Sequence, residues 1–194
     1  MAIVFNETEL PGVYEIVPDR FGDSRGYFSE VFKKEAFEDQ GIFIDWVQDN
    51  QSLSAEKGVL RGLHYQRPPV AQDKLVRVVR GAILDVAVDI RSGSPTYKKW
   101  VACTLTADKG NQLLVPKGFA HGFLTLEPNT EVLYKVSDRY SPDHDASIRF
   151  DDPEISVDWQ LEGAAPVLSQ KDAHALPLAA HDTGFTYVPG DTAK

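Results

Sequence analysis

The stretch Val59-Leu60-Arg61-Gly62-Leu63-His64-Tyr65-Gln66 decides how the chain is read, because it has the make-up of a strand and yet carries Arg61, His64 and Gln66 among apolar residues. Alternation with period two puts one set of side chains on each face of a sheet. It predicts Arg61 in phase with Leu63 and Tyr65, and His64 in phase with Leu60, Gly62 and Gln66. The imidazole then faces inward among small or apolar neighbours. With an unperturbed pKa of about 6.5, imidazole is the side chain best placed to act as a base near neutrality. The always-charged guanidinium of Arg61 suits an anion. A lone buried histidine is more often a satisfied core residue than a catalyst, so the rest of the chain has to decide.

At 194 residues the chain fits one domain over 1–194, large enough to bury about 70% of the unfolded surface. The 29 acidic against 20 basic residues give a net charge of -9. That balance argues against a nucleic-acid binder, whose affinity comes from phosphate neutralisation. A small anion can still be held by a local cluster of Arg and Lys. The single Cys103 excludes an internal disulfide framework and sits in an alternating segment, where it reads as a small apolar residue in a reducing compartment. Met1-Ala2-Ile3-Val4-Phe5-Asn6-Glu7 has no basic segment followed by an apolar core, and no run approaches a membrane span. A soluble, cytoplasmic protein with no membrane partner is expected.

Residues 13–17 alternate as a strand closed by Pro18, and 19–26 are dense in turn formers. An extended pattern resumes at 27–32. Residues 33–40 are the best helix, with Gly41 as its stop. Beyond it the signals are strands at 42–48, 59–66, 75–80, 82–90, 100–106, 112–116, 122–126, 130–137 and 147–150. Turn signals recur between them at the spacing of an antiparallel sandwich or barrel. From Asp151 the chain reads as irregular, with one short helix near 169–175.

Three further segments carry chemistry. Pro116-Lys117-Gly118-Phe119-Ala120-His121 contains Pro-x-Gly-x-x-His, in which Pro and Gly set a tight bend that presents the histidine. Here the chain resembles a cupin, the jelly-roll β-sandwich. Metal-binding cupins carry His-x-His in their first motif, where this chain has His64-Tyr65-Gln66, and Gln is a poor ligand for Zn or Fe. No metal and no other cofactor is expected. Tyr134 shares its face with Val132 and Val136; such a tyrosine is most often core, but beside His and Lys a phenol can donate a proton. Leu168-Ser169-Gln170-Lys171-Asp172 is either a solvated helix start or a carboxylate brought back to orient His64.

Taken together, Asp23-Ser24-Arg25-Gly26-Tyr27-Phe28-Ser29-Glu30, Gln48-Asp49-Asn50, Leu60 through Gln66, Lys74-Leu75-Val76-Arg77, Asp85 through Arg91, Pro116 through Phe123, Tyr134-Lys135 and Ser169-Gln170-Lys171-Asp172 strongly resemble the dTDP-4-dehydrorhamnose 3,5-epimerase family. The match runs in order from about residue 10 to about residue 175. The resemblance implies a mainly β cupin jelly roll with a few short helices, and inversion of a 4-keto sugar nucleotide at C3 and C5. It implies His64 as the base, Asp172 as its partner, Tyr134 as the acid on the other face and Lys74 as the cation at the enolate, with His121 in the sugar site. It also implies Arg25, Arg61 and Lys171 at the pyrophosphate, Gln48, Asn50 and Glu30 as hydrogen-bonding groups, and Tyr140 stacked on thymine. Asp145 falls where the family has an acidic substrate contact, in a stretch that departs from the family's wording. Family members are homodimers whose N-terminal segment reaches the partner's site, so Arg25 and Glu30 are expected to act across the interface. The tail beyond Ala175 lies outside the resemblance.

Relatives that invert only C3 or only C5 share the same His, Asp and Tyr, and make a mono-epimerase the alternative. Enzymes that move the keto group between C3 and C4 are a third. A cupin that only binds a sugar nucleotide would have no reason to carry all of His64, Asp172, Tyr134 and Lys74, and a metal-dependent dioxygenase is disfavoured by His-x-Gln.

Overall fold

The order of apolar and polar residues builds two antiparallel sheets and three apolar layers. The computed structural model describes residues 2–189. Its strands are β1 (Ile3–Glu7), β2 (Tyr14–Pro18), β3 (Phe21–Asp23), β4 (Gly26–Phe28), β5 (Gln48–Ser54), β6 (Leu60–Gln66) and β7 (Lys74–Arg80). They continue as β8 (Ala82–Asp89), β9 (Trp100–Thr106), β10 (Gln112–Val115), β11 (Phe119–Thr125), β12 (Thr130–Val136) and β13 (Asp145–Ser147). Two short helices, α1 (Lys34–Glu38) and α2 (Gln170–Ala173), complete the set with a 3-10 turn at Leu178–Ala180. One sheet has the order β1-β2-β10-β7-β12-β5 and the other β13-β6-β11-β8-β9, with β3 and β4 as a separate hairpin.

The inner layer lies between the sheets. Val76, Val78, Leu113 and Val132 meet Ile83, Ala87, Leu105 and Phe123 there. A second layer covers the outer face of the five-stranded sheet, where Leu84, Val86 and Val88 pack under Ile148, Ile155, Trp159 and Leu178 of the C-terminal segment. The third lies outside the six-stranded sheet, where Phe37 of α1 and Ile42 cover Ile16, Leu75 and Leu114. Strand β8 is buried at all eight positions because both its faces are covered, which is why its sequence runs almost continuously apolar.

Several expected elements are placed differently. Residues 42–47 are irregular, and the strand begins at Gln48. Ile42 is tied down instead by its N–H to the Phe37 carbonyl at 2.9 Å, past the left-handed Gly41. The turn-rich segment at 19–26 folds into the β3–β4 hairpin, and β1, unmarked in the sequence, pairs along β2. The strand expected at 147–150 is β13, shifted towards the N-terminus. The tail past Ala175 is ordered against the sheet through Leu178 and a bridge from Ser92 to Thr186; Met1 and residues 190–194 lie outside the described residues. Among the described residues no helix is long and apolar enough to cross a membrane.

Candidate active site

Strand β6 does not alternate strictly. His64 of β6 faces His121 of β11, and Arg61 faces Phe123, so three steps along β6 match two along β11. The extra residue is a bulge at Gly62. Gly62 has φ of 129°, and a Cβ on it would lie 2.5 Å from the Gly122 Cα, so the two backbones can approach only through glycine. The bulge resets the phase. Leu60, Leu63 and Tyr65 all point into the outer layer, while Arg61 and His64 both line a cavity inside the sandwich. This corrects the expectation that Arg61 shares a face with Leu63 and Tyr65, and His64 with Leu60.

The cavity holds about 240 Å³. His64, Arg61 and His121 enter it from the five-stranded sheet, and Lys74 on β7 and Tyr134 on β12 enter from the six-stranded sheet. Asp172 closes one side from α2. This helix is slung between two parallel bridges, Val59 to Val167 before it and Ile148 to Leu176 after it, so the otherwise irregular segment holds a fixed place. His64 Nε2 donates to Asp172 Oδ1 at 2.5 Å. Ser169, the N-cap of α2, donates to the other carboxylate oxygen at 2.8 Å and accepts from the Asp172 N–H at 3.1 Å. Burial works against ionising Asp172, but the bond to His64, followed by Ser169 and Lys171, outweighs it and holds the carboxyl below its ordinary range. With Nε2 committed to Asp172, Nδ1 of His64 is the nitrogen left to take a proton.

Burial pushes the Lys74 ammonium down to about 8, against the pull of Asp145 and Asp85. Its Nζ reaches the His64 carbonyl at 3.5 Å. Burial also raises the Tyr134 phenol, with Arg61 partly offsetting it, so the group keeps its proton near neutrality and can donate it. His121 Nε2 donates to Asp85 Oδ1 at 2.7 Å, and burial lowers its pKa, which keeps the ring neutral.

A connected polar network lies outside the cavity lining, running from β5, which contributes Ser52, to Lys171 beside Asp172. Gln48 Nε2 donates to Asn50 Oδ1 at 2.8 Å, and Gln48 Oε1 accepts the Tyr140 N–H at 3.4 Å. The Tyr140 hydroxyl donates to Asp145 at 3.2 Å, and Lys171 Nζ binds the same carboxylate oxygen. The Tyr140 side chain is 58% exposed and free to meet a flat ligand. Two of the expected residues are not brought here within one chain. Arg25 lies on the β3–β4 turn, ion-paired with Asp23 at 2.5 Å, and Glu30 lies in the segment after the hairpin. Neither lines the cavity.

The cavity also contains Ser52 and Phe123, which sequence reasoning did not single out. Ser52 follows Gln48 and Asn50 at period two, a signal visible only once the strand is begun at Gln48. Gln66, in the place of a metal-binding histidine, spends its amide on the backbone: Nε2 donates to the carbonyls of Val70 and Arg139, and Oε1 accepts from Ser141. Among the described residues no group of three or more His, Cys, Asp or Glu is arranged to hold a metal ion.

An antiparallel β-sandwich with a histidine–carboxylate pair on one side of a cavity and a phenol and an ammonium on the other is a cupin-type fold with groups that can move protons across that cavity. The family model described as dTDP-4-dehydrorhamnose 3,5-epimerase matches residues 7–180. A Sinorhizobium fredii protein named dTDP-4-dehydrorhamnose 3,5-epimerase is 49% identical over 184 residues, covering 95% of this chain and 94% of that protein. The crystal structure of the Bacillus anthracis dTDP-4-dehydrorhamnose 3,5-epimerase with TDP and PPi bound is 47% identical, with a TM-score of 0.87 over 91% of this chain and 99% of that one. The Legionella pneumophila dTDP-6-deoxy-D-glucose-3,5-epimerase in complex with dTDP-4-keto-L-rhamnose is 43% identical, with a TM-score of 0.91 over 96% and 100%. The chain belongs to the dTDP-4-dehydrorhamnose 3,5-epimerase family.

Proposed function

We propose that the protein inverts dTDP-4-dehydro-6-deoxy-α-D-glucose at C3 and C5 to give dTDP-4-dehydro-β-L-rhamnose. The observation that carries this is the placement of His64 and Tyr134 on opposite sheets across one cavity, the arrangement that inversion requires. The C4 ketone acidifies the protons on C3 and C5. His64 Nδ1 removes one of them, and the imidazolium that forms is stabilised by Asp172. The electron pair moves to the ketone oxygen as an enolate, beside the Lys74 ammonium. Tyr134 then returns a proton to the opposite face. Each inversion therefore moves one proton from Tyr134 to His64.

The polar network serves the nucleotide. Arg61 and Lys171 meet the pyrophosphate, Tyr140 stacks on thymine, Gln48 and Asn50 hydrogen-bond, Asp145 fixes Lys171 and Tyr140, and His121 contacts the sugar. Arg25 and Glu30 are supplied by the N-terminal hairpin, and the segment after it, of a second copy in a homodimer, consistent with their absence from the cavity lining of their own chain and with the exposed Phe21, Tyr27 and Phe28 beside them. Supplying the 4-keto sugar nucleotide together with an NADPH-dependent reductase that accepts only the inverted sugar tests the reading. Consumption of NADPH that needs both proteins is expected; none at micromolar enzyme would refute it.

A further inference from the structure

The ammonium of Lys74 sits inside the sandwich with one hydrogen bond among the described residues, the 3.5 Å contact to the His64 carbonyl. It has three N–H donors and a full charge to compensate. The carboxylates around it are mostly committed. Asp172 is bonded to His64 and Ser169, and Asp145 is bonded to Lys171 and Tyr140.

Asp85 is different. It lies on β8 between Ile83 and Ala87, opposite Phe123 and Cys103, and is completely buried among the apolar residues of the inner layer. Its Oδ1 accepts from His121, whose ring is neutral. Its Oδ2 is buried and accepts no hydrogen bond from the described residues. A carboxylate in such surroundings needs a positive charge within reach, because a single neutral donor does not replace its hydration. Lys74 is the cation there: it lines the same cavity as His121, the partner of Asp85, on the interior side of β8 to which Ile83 and Ala87 also point.

We propose that Asp85 is a positioning residue of the reaction: bonded to His121 through one oxygen and unbonded at the other, its carboxylate is the buried counter-charge that keeps Lys74 an ammonium while the enolate forms. The proposal rests on the reading of Lys74 as the cation at the enolate. The other groups facing Lys74 do not fill this place. From β6, Arg61 is a like charge and His64 is turned to Asp172; from β12, Tyr134 is neutral. Asp145 of β13 favours the ammonium more strongly than Asp85 does, but its carboxylate is already bonded to Lys171 of α2 and to Tyr140, whereas Asp85 has an oxygen without a donor among the described residues.

The test is Asp85→Asn, which keeps an acceptor for His121 and removes the charge. With ζ-15N-lysine labelling, Lys74 is followed by NMR titration in wild type and variant without substrate, so this readout stands whatever reaction the enzyme performs. Lys74 should titrate about one pH unit lower in the variant, a tenfold change in proton affinity. The alkaline limb of kcat should move down equally, so that the loss of activity grows as pH rises. An unchanged Lys74 titration would overturn the proposal, as would a kcat loss equal at every pH. Should Asp85→Asn not fold, the wild type decides through its [γ-13C]Asp spectrum. Asp85 ionised at neutral pH, with a signal that shifts as Lys74 titrates, supports the pair; a protonated Asp85 refutes it.

Discussion

His64 and Asp172 are 108 residues apart in the chain and 2.5 Å apart in the site. The contact joins the five-stranded sheet to the C-terminal segment that crosses its outer face, so catalytic geometry depends on how that segment is pinned. Asp172→Asn keeps the shape and loses the charge that favours the imidazolium. It should lower kcat about 10²- to 10⁴-fold with KM little changed. Steady-state kinetics beside wild type check this, and a change confined to KM would assign Asp172 to binding.

Tyr134→Phe separates the two halves of the reaction. His64 still removes protons, so solvent deuterium should still enter the sugar, while inversion falls about 10²-fold or more. NMR of the recovered substrate distinguishes this from a variant that has lost exchange and inversion together.

Activity should decline above about pH 8, because the Lys74 ammonium, pushed down by burial, is charged below that value and neutral above it. The stability contribution has the opposite sign. The folded pKa lies below the unfolded one, so between about pH 8 and 10 the unfolded chain binds more protons, and the contribution of Lys74 to stability rises with pH. Cys103, raised to about 12 by burial, works against it above its ordinary range. Denaturation of Lys74→Met against wild type at pH 7 and 9.5 isolates the lysine, and the rise should be missing in the variant.

The phase of β6 depends on one glycine. Gly62→Ala puts a Cβ against the Gly122 backbone at a positive φ, and should cost about 2 kcal/mol or more and displace His64. Thermal unfolding and activity should both drop; an unaltered melting temperature would show that the bulge relaxes freely.

Arg25 can be tested across the interface by co-expressing Arg25→Ala and His64→Ala chains. If Arg25 serves the partner's site, each mixed dimer regains one intact site, and a random mixture regains about a quarter of wild-type activity. If it serves its own site, nothing returns.

Much of this was legible in the residues themselves. Alternation at Tyr134 put it correctly on the inner face with Val132, because β12 runs from Val132 to Val136 without a bulge. The Pro-x-Gly-x-x-His bend was read correctly as presenting His121 near the start of a strand, β11. Period two failed at Gly62, where an extra residue rotates the rest of β6, and nothing local announces a bulge that exists only against β11. Asp85 was not singled out, because its tie to His121 spans 36 residues and required the sheet order. The start of β5 was missed because the polar Gln48-Asp49-Asn50-Gln51 lacks apolar alternation. Arg25 and Glu30 do not line the cavity of their own chain, and only the family resemblance, not the pattern of the residues, pointed to a second copy.

The central claim is that one cavity inverts two carbons through a common enolate chemistry. Its most direct test is NMR of dTDP-4-dehydro-6-deoxy-α-D-glucose incubated with the protein in deuterated water, following the C3 and C5 protons. Deuterium should enter at both carbons and disappear from both with His64→Ala. Deuterium at one carbon alone would make the protein a mono-epimerase, and none at either would contradict proton abstraction by His64 altogether.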